Sequence, residues 1–299
     1  MDINNIPLEL LIKFLSYIPQ NDLYHTISQV CRHWNKLSIL PDFWRTFNYD
    51  ELSILSRSSA EQYFYLKMEN RVAHIRNIQT FIQKLSINRF GFQEIQNSRS
   101  QIAFSDLKHL HITDEISGQL CKDVLKRCSK LHALDLQMYN TMIYSFDLIC
   151  GLNLKEIKLC LLLLASKTIN NDLTFLTETN PNLEKLALDV TVRYGNLLDA
   201  GVHLQILNQC RNLKTLALRN FSVSSKGFMA CGINLGLTEL TIISNSYLFD
   251  DNGIECITIH SKNLLVLKIL ECNKITDKSI ASIAENCHVF CVFQFIIHT

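Results

Sequence analysis

Leu264-Leu265-Val266-Leu267-Lys268-Ile269-Leu270-Glu271-Cys272-Asn273-Lys274-Ile275-Thr276-Asp277-Lys278-Ser279-Ile280-Ala281-Ser282-Ile283-Ala284-Glu285-Asn286-Cys287 carries two apolar periods in succession. Leu267 and Ile269 alternate with Val266, Lys268 and Leu270, the spacing of a strand that buries one face. After Ile275-Thr276-Asp277, Ile280, Ile283 and Cys287 recur at helical intervals. The strand pattern L-x-x-L-x-L returns at Leu107/Leu110/Ile112, Leu131/Leu134/Leu136, Leu154/Ile157/Leu159, Leu183/Leu186/Leu188, Leu213/Leu216/Leu218 and Leu237/Leu240/Ile242. With Leu264, these starts lie 24, 23, 29, 30, 24 and 27 residues apart. Ile82/Leu85/Ile87 fits as an earlier member and Phe290/Phe293/Phe295 as a degraded last one. The phase of other residues strengthens the repeat. Cys128, Cys210 and Cys287 stand three places before a strand start, and Asn182, Asn212 and Asn263 one place before.

A strand–helix unit cannot bury its apolar face alone, whereas stacked neighbours share one core. The expected fold is therefore α/β: an open solenoid of seven to nine units over residues 82–299, with a parallel inner sheet and outer helices. The Leu264–Cys287 stretch resembles the cysteine-containing subclass of leucine-rich repeats, whose strand ends in Cys or Asn. Cys272 and Asn245 fill that place here, and Tyr139, Leu162, Thr191 and Phe221 replace it elsewhere, so the middle repeats are degenerate. Val289 to Ile297 is apolar except for Gln294. Such stacks normally end in a polar cap, so this end is expected either to belong to a longer solenoid or to pair with another copy.

The first 48 residues are punctuated differently. Pro7, Pro19 and Pro41 and both tryptophans, Trp34 and Trp44, fall here, and Pro181 is the one later proline. Leu8, Leu11, Leu15 and Ile18 form a helical stripe begun by Pro7 and stopped by Pro19. Asn21-Asp22 offers a cap for a second helix carrying Leu23, Ile27, Val30, Trp34 and Leu37, and Pro41 restarts the chain toward Phe43, Trp44 and Phe47. Residues 49–81, with Tyr63, Phe64, Leu66 and Met68, read as a mostly helical connector. Ile6, Leu10 and Phe14 lie outside the first stripe. A domain of about 45 residues is too small to bury a second apolar face, so this surplus packs either on the repeats or on a partner.

Ile6-Pro7-Leu8-Glu9-Leu10-Leu11-Ile12-Lys13-Phe14-Leu15, Asp22-Leu23, Val30-Cys31-Arg32-His33-Trp34 and Pro41-Asp42-Phe43-Trp44 together resemble an F-box. Ile6 replaces the usual Leu, and Phe14 stands where the family often has Ile. Joined to leucine-rich repeats, the resemblance implies the substrate receptor of an SCF-type cullin–RING ubiquitin ligase acting in ubiquitin-dependent degradation. The F-box would dock on a SKP-family adaptor through Ile6, Pro7, Leu10, Leu11, Phe14 and Trp34, some of which, Trp34 in particular, can instead fill the core. The repeats would select a protein substrate. Such a receptor is not an enzyme and needs no cofactor. The alternatives are a ligase-independent repeat scaffold or inhibitor and, less favoured, a small-molecule receptor.

Strand alternation assigns the inner face to residues between the buried leucines. The candidate contacts there are His109, His111, Asp135, Glu156, Lys158, Lys185, Asp189, Thr215, Arg219, Glu239 and Lys268. Their signs alternate and no aromatic ladder runs among them, which suits a protein partner better than nucleic acid. Lys+Arg 29 against Asp+Glu 28 likewise gives no strong field for nucleic acid or anionic membrane. The apolar run Leu159–Ala165 is far short of a bilayer span of about 20 residues, and Met1-Asp2-Ile3-Asn4-Asn5 lacks the pattern of a secretory signal. A soluble cytoplasmic or nuclear protein is expected, its 11 cysteines being reduced core thiols. Cys31 with His33, and Cys287, His288 and Cys291, lack the second pair that a metal site needs. Asn220-Phe221-Ser222 is a glycosylation sequon by pattern alone.

Overall fold

The computed structural model describes residues 6–49, 72–97, 102–114, 124–139, 152–163, 176–192, 210–220, 224–226, 236–243, 249–287 and 292–296. The connector residues Tyr63, Phe64, Leu66 and Met68, the repeat positions Phe221 and Asn245, and Phe290 lie outside them. The chain forms two compact units: Met1–Ile116 with Asp123–Leu131, and Ser117–Lys122 with His132–Thr299. The first therefore joins the small helical module to the earliest repeats.

In the first unit, α1 (Leu8–Leu15) follows Pro7, whose carbonyl accepts from the Leu10 and Leu11 N–H groups at 3.0 and 3.1 Å. Pro19 precedes a helical run made of Gln20–Asp22, a π-helical segment Leu23–Ile27, and Ser28–Val30. The run starts at Gln20, so Asn21-Asp22 provides no side-chain cap. Instead, the Gln20 side-chain amide donates to the Phe43 and Thr46 carbonyls at 2.6 and 2.5 Å. The expected single second helix is broken at Cys31, which is extended (φ −161°, ψ 171°) and precedes the Arg32–Ser38 helix. Val30, at the end of the run before that break, is exposed, whereas Leu23, Trp34 and Leu37 are buried. Leu8, expected in the core stripe, is also exposed, leaving Leu11 and Leu15 as the buried members.

The Pro41–Trp44 helix leads directly into β1 (Thr46–Asn48), a strand the repeat pattern does not reveal. β1 pairs in parallel with β2 (Lys84–Ile87), and β2 with β3 (His109–Ile112), aligning Phe47, Leu85 and Leu110. The module is thus built into the repeat sheet. Trp44 is fully buried; its indole N–H donates to the Ser38 carbonyl at 2.6 Å and its ring meets Phe47 and His74. His74 lies on a helix at 72–78, inside the expected connector.

The second unit holds β4 (Ala133–Tyr139), β5 (Glu156–Leu163), β6 (Lys185–Val192), β7 (Thr215–Arg219), β8 (Glu239–Ile243), β9 (Val266–Leu270) and β10 (Val292–Ile296). Each pairs in parallel with the next, so Leu134, Ile157, Leu186, Leu216, Leu240 and Leu267 stack in one buried column. Leu136, Leu159, Leu188, Leu218, Ile242 and Ile269 form the next column. These are the leucine positions of the repeat, and each column removes apolar area from water worth roughly 1.5–3 kcal/mol per side chain. The Asp251–His260 and Asp277–Asn286 helices pack side by side, each capped by the residue before it, Asp250 and Thr276. β10 continues the register with Val292 opposite Val266, while its Val292 and Phe293 side chains stay partly exposed.

Gly91, on the Arg89–Asn97 helix, is required sterically. A Cβ there would lie 2.5 Å from Tyr49 Cδ1 and 2.8 Å from Ile87 Cγ1. Gly91→Ala is expected to cost about 1–3 kcal/mol through overpacking, read as a lowered denaturation midpoint. Gly236→Ala is the control, since nothing lies within 4 Å of its added carbon; equal midpoints for the two variants would refute the steric account.

Candidate functional site

The helical module has an inner and an outer apolar surface. Leu11 and Leu15 turn inward and join Leu23, Trp34, Leu37, Phe43 and Trp44 in the core. Ile6, Leu8, Leu10, Phe14, Tyr17 and Val30 remain exposed, Leu10 at 58% and Phe14 at 60%. Leu10 and Phe14 are four residues apart, hence neighbours on one helix face. Among the described residues nothing covers them.

The sequence-derived adaptor set divides accordingly. Ile6, Pro7, Leu10 and Phe14 are exposed, whereas Leu11 at 3% and Trp34 at 8% belong to the core. The physical reason is phase: Leu11 shares a stripe with Leu15, and Trp34 follows the restart at Cys31. Leu8, Tyr17 and Val30 were not singled out from the sequence. Leu8 and Val30 obey the core periodicity and leave it only because the helices begin and break where they do.

The inner faces are polar. In the first unit His109 and His111 are half-buried on β3, and His111 Nδ1 lies 3.5 Å from Ser86 Oγ on β2. In the second unit the charges pair across strands. Lys158 Nζ contacts Asp135 Oδ2 at 2.8 Å, and Lys185 Nζ contacts Glu156 Oε1 at 2.9 Å. The Lys185 ammonium is held above its ordinary pKa, first by its hydrogen bond to Glu156 and then by that carboxylate's charge. At the strand entrances Glu184 contacts Lys155 at 3.2 Å and Lys214 at 3.8 Å, which lowers its pKa. Thr215 is half-buried, Arg219 and Glu239 are exposed, and Lys268 is half-buried. Asp189 accepts a hydrogen bond from the Asn220 amide at 2.7 Å. The sequon asparagine is thus engaged with the sheet, and its φ of 58° places it in the left-handed region that Asn tolerates.

Among the described residues Cys128, Cys210, Cys256, Cys272 and Cys287 are core thiols as expected, whereas Cys31, at the break before the Arg32–Ser38 helix, is exposed and Cys160 is half-buried. Burial pushes the thiol of Cys128 up to about 12 and that of Cys210 to about 11, and raises Cys256 and Cys287 as well. Cys256 Sγ lies 3.8 Å from His260 Nδ1, yet that nitrogen is 2.7 Å from the Cys256 carbonyl oxygen. A buried thiol with a raised pKa, beside an imidazole already engaged by backbone, is a poor nucleophile. Among the described residues no group of three His, Cys, Asp or Glu side chains could hold a metal ion, and no helix is long and apolar enough to cross a membrane.

Residues 3–50 match the F-box-like family. No curated protein matches the sequence. Solved structures similar to the chain include internalin C2 from Listeria monocytogenes, with 17% identity over 75% of this chain and 83% of that one and a TM-score of 0.40. Internalin InlF from the same organism has 13% identity over 76% and 70%, with a TM-score of 0.43. A chain of the yeast complex of Rad7 and Elc1 has 15% identity over 94% and 78%, with a TM-score of 0.45.

Proposed function

We propose that this chain is the substrate-receptor subunit of an SCF-type cullin–RING ubiquitin ligase, in the cytoplasm or nucleus. Residues 1–48 dock on a SKP-family adaptor, residues 49–81 connect, and the repeats of 82–299 hold a protein substrate. The observation that carries this reading is the uncovered apolar face of Ile6, Leu10 and Phe14 on a module that matches the F-box-like family. No catalytic step is assigned to the chain: a receptor accelerates modification by raising the effective concentration of the target near the conjugating enzyme.

Co-expression of the full chain with a SKP-family adaptor and cullin tests the reading. The expected result is a stable ternary complex on size exclusion. A folded chain that captures no adaptor would end the proposal. Capture of adaptor without cullin would favour the ligase-independent scaffold.

A further inference from the structure

Neighbouring helices of the second unit are keyed to one another by a repeated contact. Ser225 opens a helical segment, and its Oγ accepts from the Asp250 N–H at 3.0 Å. Asp250 caps the Asp251–His260 helix. Asp251, the first residue of that helix, accepts from the Thr276 N–H at 2.8 Å, from the Thr276 hydroxyl at 2.7 Å and from the Ser279 hydroxyl at 2.5 Å. Thr276 in turn caps the Asp277–Asn286 helix. Twice, then, the first residue of one helix holds the capping residue of the next. Asp277 occupies that first position on the last described helix and is exposed.

The apolar faces behind these keys follow the same rule. Ile254 and Thr258 lie four and eight residues past the Asp250 cap, and Ile280 and Ala284 lie at the same places past Thr276. Ile254 and Thr258 are buried, and Thr258 Oγ1 is 2.9 Å from Ser282 Oγ, so this is the face that the following helix covers. Ile280 is 56% exposed, and Ala284 is exposed as well. In the sheet, Leu240 and Leu267 are buried, whereas Phe293, next in their column on β10, is 38% exposed. Asp277, Ile280, Ala284 and Phe293 therefore outline a groove of the kind that the Asp251–His260 helix presents to its neighbour.

We infer that this groove takes an amphipathic helix of a partner protein that begins with a Ser or Thr cap. The cap's N–H and hydroxyl donate to the Asp277 carboxylate, as those of Thr276 donate to Asp251, and set the register of the incoming helix. Its apolar face covers Ile280, Ala284 and Phe293 and supplies the affinity. Ala284 stands where Thr258 stands in the preceding helix and offers no hydroxyl. The incoming helix therefore needs a small apolar residue at the place that Ser282 fills opposite Thr258, since a hydroxyl there would be buried without its partner. This goes beyond the receptor reading and does not depend on it, the adaptor face being on the other unit.

The test is fluorescence anisotropy of the full chain with a labelled peptide of residues 276–287 carrying Ser282→Ala. The peptide is stapled, because a free helix of this length is marginal in water. It is expected to bind, and Asp277→Ala or Ile280→Glu in the full chain should each weaken it at least about tenfold. Thr276→Ala in the peptide should cost as much against the native chain and little more against the Asp277→Ala chain, because the two changes remove one interaction. Absence of binding to the native chain overturns the inference. So does unchanged binding by the two chain variants, or additive losses for Thr276→Ala and Asp277→Ala. Sedimentation of the native chain as a dimer that Ile280→Glu returns to monomer would give the groove to a second copy and overturn it equally.

Discussion

Leu10→Glu combined with Phe14→Glu is expected to abolish capture of a SKP-family adaptor without altering the melting transition of the chain. Both side chains are more than half exposed, so their replacement removes little from the module's own core. In the complex each loses roughly 1.5–3 kcal/mol of burial, and each new carboxylate meets an apolar surface without a partner. A combined loss above about 4 kcal/mol is about a thousandfold in affinity. Leu11→Glu supplies the contrast. Leu11 is buried, so its charge lands in the core and lowers stability together with capture. Pull-down paired with thermal melting reads both quantities. Normal capture by the exposed-face double variant would remove α1 from the docking surface.

Glu94→Gln is expected to stabilise the chain by up to about 3 kcal/mol at pH 8 and to uncover a pH dependence that the native sequence masks. Glu94 is buried on the Arg89–Asn97 helix, and burial pushes its carboxyl from 4.5 up to about 7. The folded form therefore binds more protons than the unfolded form between these values, and stability falls as pH rises through this window. His74 is buried against Tyr24 and Trp44, and burial, helped by the charge of His25, lowers it from 6.5 to about 4. Its folded form binds fewer protons, so stability rises with pH from about 4 to 6.5. The two slopes oppose each other between 4.5 and 6.5, where the native chain should be nearly flat on their account, with losses below and above. In Glu94→Gln only the His74 slope survives, and stability should climb from pH 4 to 6.5 and then level. Urea denaturation across pH 4–8 measures this. A variant no more stable than the native chain at pH 8 would show that Glu94 is stabilised by a partner strongly enough to offset its burial.

Much of the repeat was legible because a parallel stack makes the same demand in every unit. Leu134, Leu186, Leu216 and Leu267 each face the same core, so one spacing recurs along the chain. β1 was not legible: Thr46-Phe47-Asn48 puts one side chain, Phe47, into the core and is too short to show alternation. The inner-face positions followed from strand alternation, but their pairing did not. Sequence order alone shows neither that Lys158 finds Asp135 nor that Asp189 accepts a hydrogen bond from Asn220.

The F-box-like module was equally divided. Its family pattern and its surplus of apolar residues lie in the sequence, because residue type fixes how much surface must leave water. Which residues carry the surplus was decided by tertiary structure. Val30 faces water at the end of the run before the extended Cys31 while Trp34 on the next helix is buried, and the phase of α1 put Leu11 in the core while leaving Leu10 and Phe14 exposed. Periodicity along a chain constrains one helix at a time; the side that faces water is fixed only when the helices pack and share a single core.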